Sequence, residues 1–530
     1  MSGWLERALD GPLLMQLFRL LQGLFLGLSL LVLILAQRAA REDRAAAGRS
    51  PYARNALFAL FALALASVYA YQATWQLAGF ARPPFVEFMR RFNRRPDNPV
   101  ARIARGRLLD RRGTLLAGND PDRPGVRLYP FSNAFCHVVG YLDPRHGLAG
   151  LEQADSAFLY GATLDTWDQR SRFTDNLLDA RHRITGNDRT LTLDARWQAE
   201  AVRRLGDRAG AVVALDPRDG ALLVLASAPG FDPHRVAESL ARARETGESP
   251  LLNRALHGLY PPGSTFKIVY AAAAIEALFT GELACPASGF SPEPGMPPIR
   301  DHEYAAAQRE GTAWSGHGRL SLADALRLSS NVYFARLAVM LGSERIGALF
   351  DRLTLDQRVA VFAGSSGTLA SAPGRFVPPR EAGAGELAQM AIGQGRLLLT
   401  PLQMALVTAA AANGGLAMQP RLDAAAPPRP LRHYFRRQAA ADLARMLREA
   451  VRRGTGRPAD VAGLDVAGKT GTAQNPAGAD HAWFVGFAPA DRPRLALAVV
   501  VEHGGSGSQA AAPVAAALFR MARDTGWFDE

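Results

Sequence analysis

Two long apolar stretches near the N-terminus constrain this chain before anything else does. Leu20 to Ala36 is almost wholly apolar, and that character reaches back to Leu13 across Arg19. A second run, Ala56 to Tyr71, lies within Asn55 to Phe80. Each approaches the ~20 residues a helix needs to cross a bilayer, which predicts transmembrane helices at about 13–36 and 55–79. The first is not read as a cleaved leader, because Glu6, Arg7 and Asp10 stand where a basic start would be and a second span follows. The connecting loop carries Arg38, Arg41, Arg44, Arg49 and Arg54, which places it in the cytoplasm and both termini outside. Arg82, Arg90, Arg91, Arg94 and Arg95 follow the second span and argue the other way. Residues 1–80 are therefore expected to be a membrane anchor with two transmembrane helices.

The remainder is long enough for two domains, each with its own core. After a Pro- and Arg-rich stretch, Gly106 to Ala117 has two short apolar runs around an Asp-Arg-Arg-Gly turn and reads as a hairpin. A sharper unit starts near Thr190. Leu193 to Leu205 reads as a helix, and two apolar runs, 210–215 and 221–226, flank Asp216-Pro217-Arg218-Asp219-Gly220 as a second hairpin. Helices are predicted over Ser264 to Ala277, Ser321 to Leu341, Thr400 to Ala412 and Gln438 to Arg453, and strands at His481 to Phe487 and Leu495 to Glu502. Early strands, a helical middle and late strands point to one sheet built from both ends of a domain. The net charge of +12 calls for an anionic neighbour, a lipid surface or wall polymer. Nucleic acid fits poorly, since the arginines are spread along the chain rather than clustered with aromatics. Cys136 and Cys285, the only cysteines, stand too far apart in sequence to read as a disulfide framework.

Lysine occurs only at 267 and 469, although Lys and Arg together number 61. Arginine cannot lose its proton in a protein and a desolvated lysine can, so two surviving lysines point to proton chemistry. Lys267 follows Ser264 by three residues in Pro261-Pro262-Gly263-Ser264-Thr265-Phe266-Lys267. That spacing puts both on one face at a helix start, where free N–H groups and the dipole favour developing negative charge. A neutral Lys267 amine could take the Ser264 hydroxyl proton. Ser329-Ser330-Asn331 offers a second hydroxyl to shuttle a proton and an amide to grip a peptide. Lys469-Thr470-Gly471-Thr472 offers a cation, hydroxyls and a glycine that would let the chain run close to a bound peptide. Singly each motif is weak; S-x-x-K, S-x-N and K-T-G in that order form the signature of the active-site serine penicillin-recognising enzymes.

A rival motif overlaps Lys469. Gly463 to Thr470 fits G-x-x-x-x-G-K-[ST], a phosphate-binding loop, which needs a strand before it and a helix after it. Gly471, Asn475, Pro476 and Gly478 are poor helix material, so the nucleotide reading is set last. His302-Glu303 lacks a second His for zinc, and His481 and His503 complete no ligand set. No metal or cofactor is expected.

From about residue 100 onward the chain resembles the class B, monofunctional penicillin-binding proteins. Arg105 to Gly113 looks like their R-G-x-[IL]-x-D-R-x-G element, Gly140-Tyr141 and Gly150-Leu151-Glu152 like their G-Y and G-L-E segments. Tyr260 to Lys267 resembles the nucleophile motif. Ile392 to Gly395, Thr400 to Gln403 and Asn413 to Gly415 resemble the helical core, and His481 to Gly486 the strand after K-T-G. The resemblance implies an α/β (α+β) transpeptidase fold: an antiparallel sheet flanked by helices over 190–530, with a juxtamembrane segment and β-rich pedestal over 81–189. It further implies a peptidoglycan DD-transpeptidase at the bacterial inner membrane, its catalytic domain facing the periplasm or extracytoplasmic side. Ser264 would be the nucleophile, Lys267 the base and Ser329 the proton relay; Asn331, Lys469, Thr470, Gly471 and Thr472 would bind the D-Ala-D-Ala stem peptide. β-Lactams would acylate Ser264. A second span departs from the family's single anchor and is expected to dock a polytopic membrane glycosyltransferase. The alternatives are a serine β-lactamase or β-lactam-sensing receptor domain, and a non-catalytic wall-assembly scaffold.

Overall fold

The computed structural model describes residues 103–122, 126–143, 145–161, 184–476 and 478–529, with five helical positions between 61 and 69. The chain separates into two compact units, Met1–Ala78 and Gly79–Glu530. The two expected spans otherwise lie outside the described residues, among which no helix is long and apolar enough to cross a membrane.

In the second unit, β1 (Leu108–Leu109), β2 (Leu115–Asn119), β3 (Arg127–Leu128) and β4 (Arg189–Thr190) form a small sheet in the order β3-β2-β1-β4. The Asp-Arg-Arg-Gly turn is the expected hairpin. Asp110 Oδ1 accepts from Arg112 N at 2.8 Å and Thr114 N at 2.7 Å, and Gly113 takes φ +84°, a conformation glycine adopts without cost. Asp110 Oδ2 accepts from Ala195 N at 3.0 Å, at the first turn of α1 (Ala195–Leu205). One buried carboxylate thus ties the hairpin to the next helix.

The main sheet is five-stranded and antiparallel throughout. Its first strands are β5 (Gly210–Leu215) and β6 (Leu222–Ala228). The chain then leaves it for α2 (Lys267–Glu276), β7 (Leu283–Pro286), α3 (His302–Glu310) and β8 (Gly316–Leu320). Next come α4 (Leu322–Leu328), α5 (Asn331–Leu353), α6 (Pro401–Ala412) and α7 (Arg437–Arg453). It returns as β9 (Ala467–Ala473), β10 (His481–Ala488) and β11 (Leu495–Val501), and ends in α8 (Ala512–Asp524). The strand order is β6-β5-β11-β10-β9, so both ends of the domain contribute, as the pattern predicts.

Both faces of this sheet are buried, which is why β5, β6 and β11 read as nearly unbroken apolar runs instead of alternating ones. Ala211, Val213, Leu215, Val485 and Val500 face one core with α2, α5 and α6. Val212, Ala214, Phe484, Val499 and Val501 face the other with Trp197 of α1 and Phe519 of α8. Successive strand residues point to opposite faces, so period two distributes a continuous run between two cores. Each fully buried Val or Leu contributes about 1.5–3 kcal/mol. At the start of α6, Thr400 Oγ1 accepts from Gln403 N at 3.2 Å while Gln403 Oε1 accepts from Thr400 N at 2.9 Å, a reciprocal cap. The predicted helix Ser321 to Leu341 is two helices. It breaks at Ser329, which takes φ +63° and closes α4, and restarts at Ser330, whose hydroxyl caps α5 by accepting from Tyr333 N at 3.1 Å.

Candidate active site

Helix α2 runs through the core with Lys267 through Ala274 buried, and Ser264 sits in a 3-10 turn, Gly263–Phe266, at its N-terminal end. The turn is packed from two sides by glycines. A Cβ on Gly393 would stand 2.0 Å from the Gly263 carbonyl oxygen, and Gly263 N donates to Gly393 O at 2.9 Å. A Cβ on Gly471 would meet Thr265 Cγ2 at 2.9 Å and Pro262 O at 3.0 Å. The closeness that requires a glycine at 471 is therefore to the nucleophile turn. Trp483 Nε1 donates to Pro261 O at 3.0 Å and Thr265 Oγ1 to Pro262 O at 2.7 Å, so Pro261 to Thr265 is fixed from the sheet and from within.

The three motifs converge at the two lysines, both 0% exposed. Lys267 Nζ donates to Ser329 O at 2.5 Å, Asn331 Oδ1 at 2.8 Å and Ser329 Oγ at 3.3 Å. Lys469 Nζ donates to Ser329 Oγ at 2.8 Å and Thr470 O at 3.0 Å. One hydroxyl thus lies between two amines. Burial lowers the Lys267 amine to about 7, against the raising effect of Asp301 and Glu303. Burial, and then the charge of Lys267, hold Lys469 well below the ordinary lysine range. Two ammonium groups around one oxygen in a desolvated pocket oppose each other, so loss of one proton is favoured.

The left-handed backbone of Ser329 points its hydroxyl into this gap, and such a conformation costs a non-glycine residue about 1–2 kcal/mol. Thr470 is buried, its Oγ1 2.6 Å from Thr455 Oγ1, whereas Thr472 on the same strand is exposed, with Gly507 N donating to its Oγ1 at 3.5 Å. Lys469 and Thr470 lie inside strand β9, which leads by a turn into β10. The phosphate-loop reading fails here, since that motif needs a loop before a helix.

The model of the penicillin-binding protein transpeptidase domain matches residues 210–520. The chain belongs to this transpeptidase family. A peptidoglycan D,D-transpeptidase, PbpA, of Mycolicibacterium smegmatis is 33% identical over 76% of this chain and 85% of its own length. The peptidoglycan D,D-transpeptidase MrdA of Acinetobacter baumannii is 30% identical over 74% of this chain and 66% of its own. Penicillin-binding protein A of M. tuberculosis, as its ceftriaxone acyl-enzyme complex, superposes with a TM-score of 0.71 at 27% identity, covering 80% of this chain and 99% of that one. The class B resemblance read from the motifs is thereby established, as is the penicillin-binding transpeptidase fold with its helix-flanked sheet.

Sequence reasoning missed three residues of this penicillin-binding domain. Asp301 and Arg300 hold the Ser329 to Asn331 loop, and Thr455 pairs with Thr470. Asp301 adjoins His302-Glu303, which sequence analysis weighed only as a zinc motif. No local pattern marks it.

Proposed function

We propose that this chain is a peptidoglycan D,D-transpeptidase that cross-links stem peptides through an acyl-enzyme at Ser264. The observation that carries the reading is the meeting of Lys267, Ser329 and Lys469 beside the Ser264 turn, with the Lys267 amine near neutrality. Lys267 takes the Ser264 proton as Oγ bonds to the D-Ala carbonyl carbon. The N–H groups of Ser264 and Thr472 receive the oxyanion, an effect worth about 3–4 kcal/mol where such donors have been removed. The C–N bond breaks and Ser329 passes a proton to the departing D-Ala amine. An amine of a neighbouring stem peptide then attacks the ester, and Ser264 regains its proton. Asn331 holds the substrate amide, and Lys469, Thr470 and Thr472 hold the terminal carboxylate. That carboxylate keeps the proton on Lys469 and so leaves Lys267 neutral as the base. Gly471 lets β9 press against the Ser264 turn and lets the strand run close to the bound stem peptide.

The domain reading stays with this proposal: an anchor over 1–80, a pedestal over 81–189 and the transpeptidase over 190–530, outside the cytoplasmic membrane. The extra span would dock a polytopic membrane glycosyltransferase, which swapping residues 12–54 and scoring co-purification would test.

The deciding experiment is acylation by a fluorescent penicillin on wild type and Ser264→Ala, with adduct lifetime followed by mass spectrometry. A long-lived adduct lost in the mutant is expected. Rapid release of hydrolysed drug would mean a β-lactamase instead. No adduct, and no D-Ala release from a D-Ala-D-Ala peptide, would leave a scaffold.

A further inference from the structure

The Ser329 to Asn331 loop supplies the hydroxyl between the lysines, yet its conformation is not set by its own residues. The grip comes from Arg300 and Asp301, just before α3. Asp301 is 4% exposed, and its Oδ1 accepts three hydrogen bonds: from Asn331 N at 2.5 Å, Ser330 Oγ at 2.9 Å and Val332 N at 3.1 Å. Two of these donors are the first N–H groups of α5, which have no partner inside the helix and stand at its positive end. The adjoining Arg300 carbonyl accepts from Asn331 Nδ2 at 3.0 Å, which turns Asn331 Oδ1 toward Lys267.

We infer that Asp301 is a positioning residue for the transpeptidase site: its carboxylate pins the start of α5 and thereby holds Ser329 between Lys267 and Lys469. The inference rests on the reading of Ser264 and Lys267 as the acylating pair. Asp301 acts through the loop, since its contacts are to Ser330, Asn331 and Val332 and not to Ser264. Its second oxygen, Oδ2, is buried without a hydrogen bond, 3.9 Å from His317 Nε2 of β8. The carboxylate is therefore anchored on one side only, by the loop it holds.

Asp301 also acts through space. The charged groups facing Lys267 are Asp301, Glu303 of α3 and Lys469 of β9; behind Asp301 stand His317 of β8 and Cys285 of β7, whose Sγ lies 3.7 Å from Ser330 Oγ. Burial disfavours the Lys267 ammonium and the two carboxylates favour it, so removing one negative charge makes Lys267 lose its proton at lower pH. A purely structural prop would leave that pH unmoved.

The test measures second-order acylation rates with a fluorescent penicillin on the full chain from about pH 5 to about pH 9, for wild type, Asp301→Asn and Asp301→Ala. Asp301→Asn keeps an acceptor oxygen and drops the charge. Its high-pH rate should stay within about fivefold of wild type while the midpoint of the rise moves down by about half a pH unit or more. Asp301→Ala removes the acceptor, and its high-pH rate should fall at least about tenfold with a cooperative melting transition retained. A high-pH rate for Asp301→Ala within about twofold of wild type overturns the inference. If Asp301→Ala does not fold, Asp301→Asn decides alone, and an unmoved midpoint overturns it. A wild type that takes no penicillin overturns the Ser264 reading and this inference with it.

Discussion

Lysine survives at two positions in a chain that otherwise uses arginine, and both are fully buried against the same serine hydroxyl. The reason is chemical: a guanidinium stays charged at any working pH, while burial brings an amine to where it can accept a proton. Lys267→Arg should therefore lower penicillin acylation by about a thousandfold or more, as expected for loss of an essential base, even if the fold is retained. In wild type the acylation rate should rise with pH through about 7, because Lys267 works as the neutral amine and is protonated below that value. A rate flat from about pH 5 to about pH 9 would contradict Lys267 as the base. At this scale the short motifs were legible one by one, and the structure brings Lys267, Ser329, Asn331 and Lys469 from three of them together. Asp301 was not, because its partners lie 29 to 31 residues away and nothing beside it marks the contact. The approach of Gly471 to Pro262 and Thr265 was not legible either, because it forms between segments far apart in sequence.

At the scale of elements, one sheet built from both ends of the domain was legible in the apolar runs of β5, β6, β10 and β11, while its antiparallel arrangement was implied by the family resemblance. β9 was missed: its sequence, Ala467 to Ala473, has little apolar character, and its place comes from pairing with β10. The break between α4 and α5 was missed for a related reason. Ser321 to Leu341 keeps helical periodicity across a residue that tertiary contacts hold in a left-handed conformation. Packing of β9 on the nucleophile turn gives an element-scale prediction. Gly471→Ala should push the turn away from the strand, costing about 1–3 kcal/mol of stability and slowing acylation. Adding Thr265→Ser removes the methyl that the new Cβ would meet at 2.9 Å and should restore part of both. Melting temperature and acylation rate, measured on the single and double variants, check this; a double variant no better than the single would contradict it.

Across the whole molecule, the G-L-E segment shows what a motif recognised only by resemblance does physically. Glu152 is 0% exposed and receives Arg105 Nε at 2.6 Å and Arg127 Nε at 2.7 Å, while Arg105 also lies over the Tyr160 ring at 4.4 Å. One carboxylate thus pairs with two buried guanidiniums, Arg105 and Arg127, that are 22 residues apart. Glu152→Ala would leave both unpaired, and the expected loss is about 3–5 kcal/mol of stability, read by chemical unfolding. An unfolding midpoint equal to wild type would contradict this. The shared serine hydroxyl of the two lysines carries a last consequence, for handling the protein. A protease that cuts only after lysine has two bonds to find in 530 residues, and both lysine side chains are buried around the Ser329 hydroxyl. Digestion at those bonds is thus a clock for the opening of that site, and amine-directed labels will find both lysine side chains shielded in the folded domain.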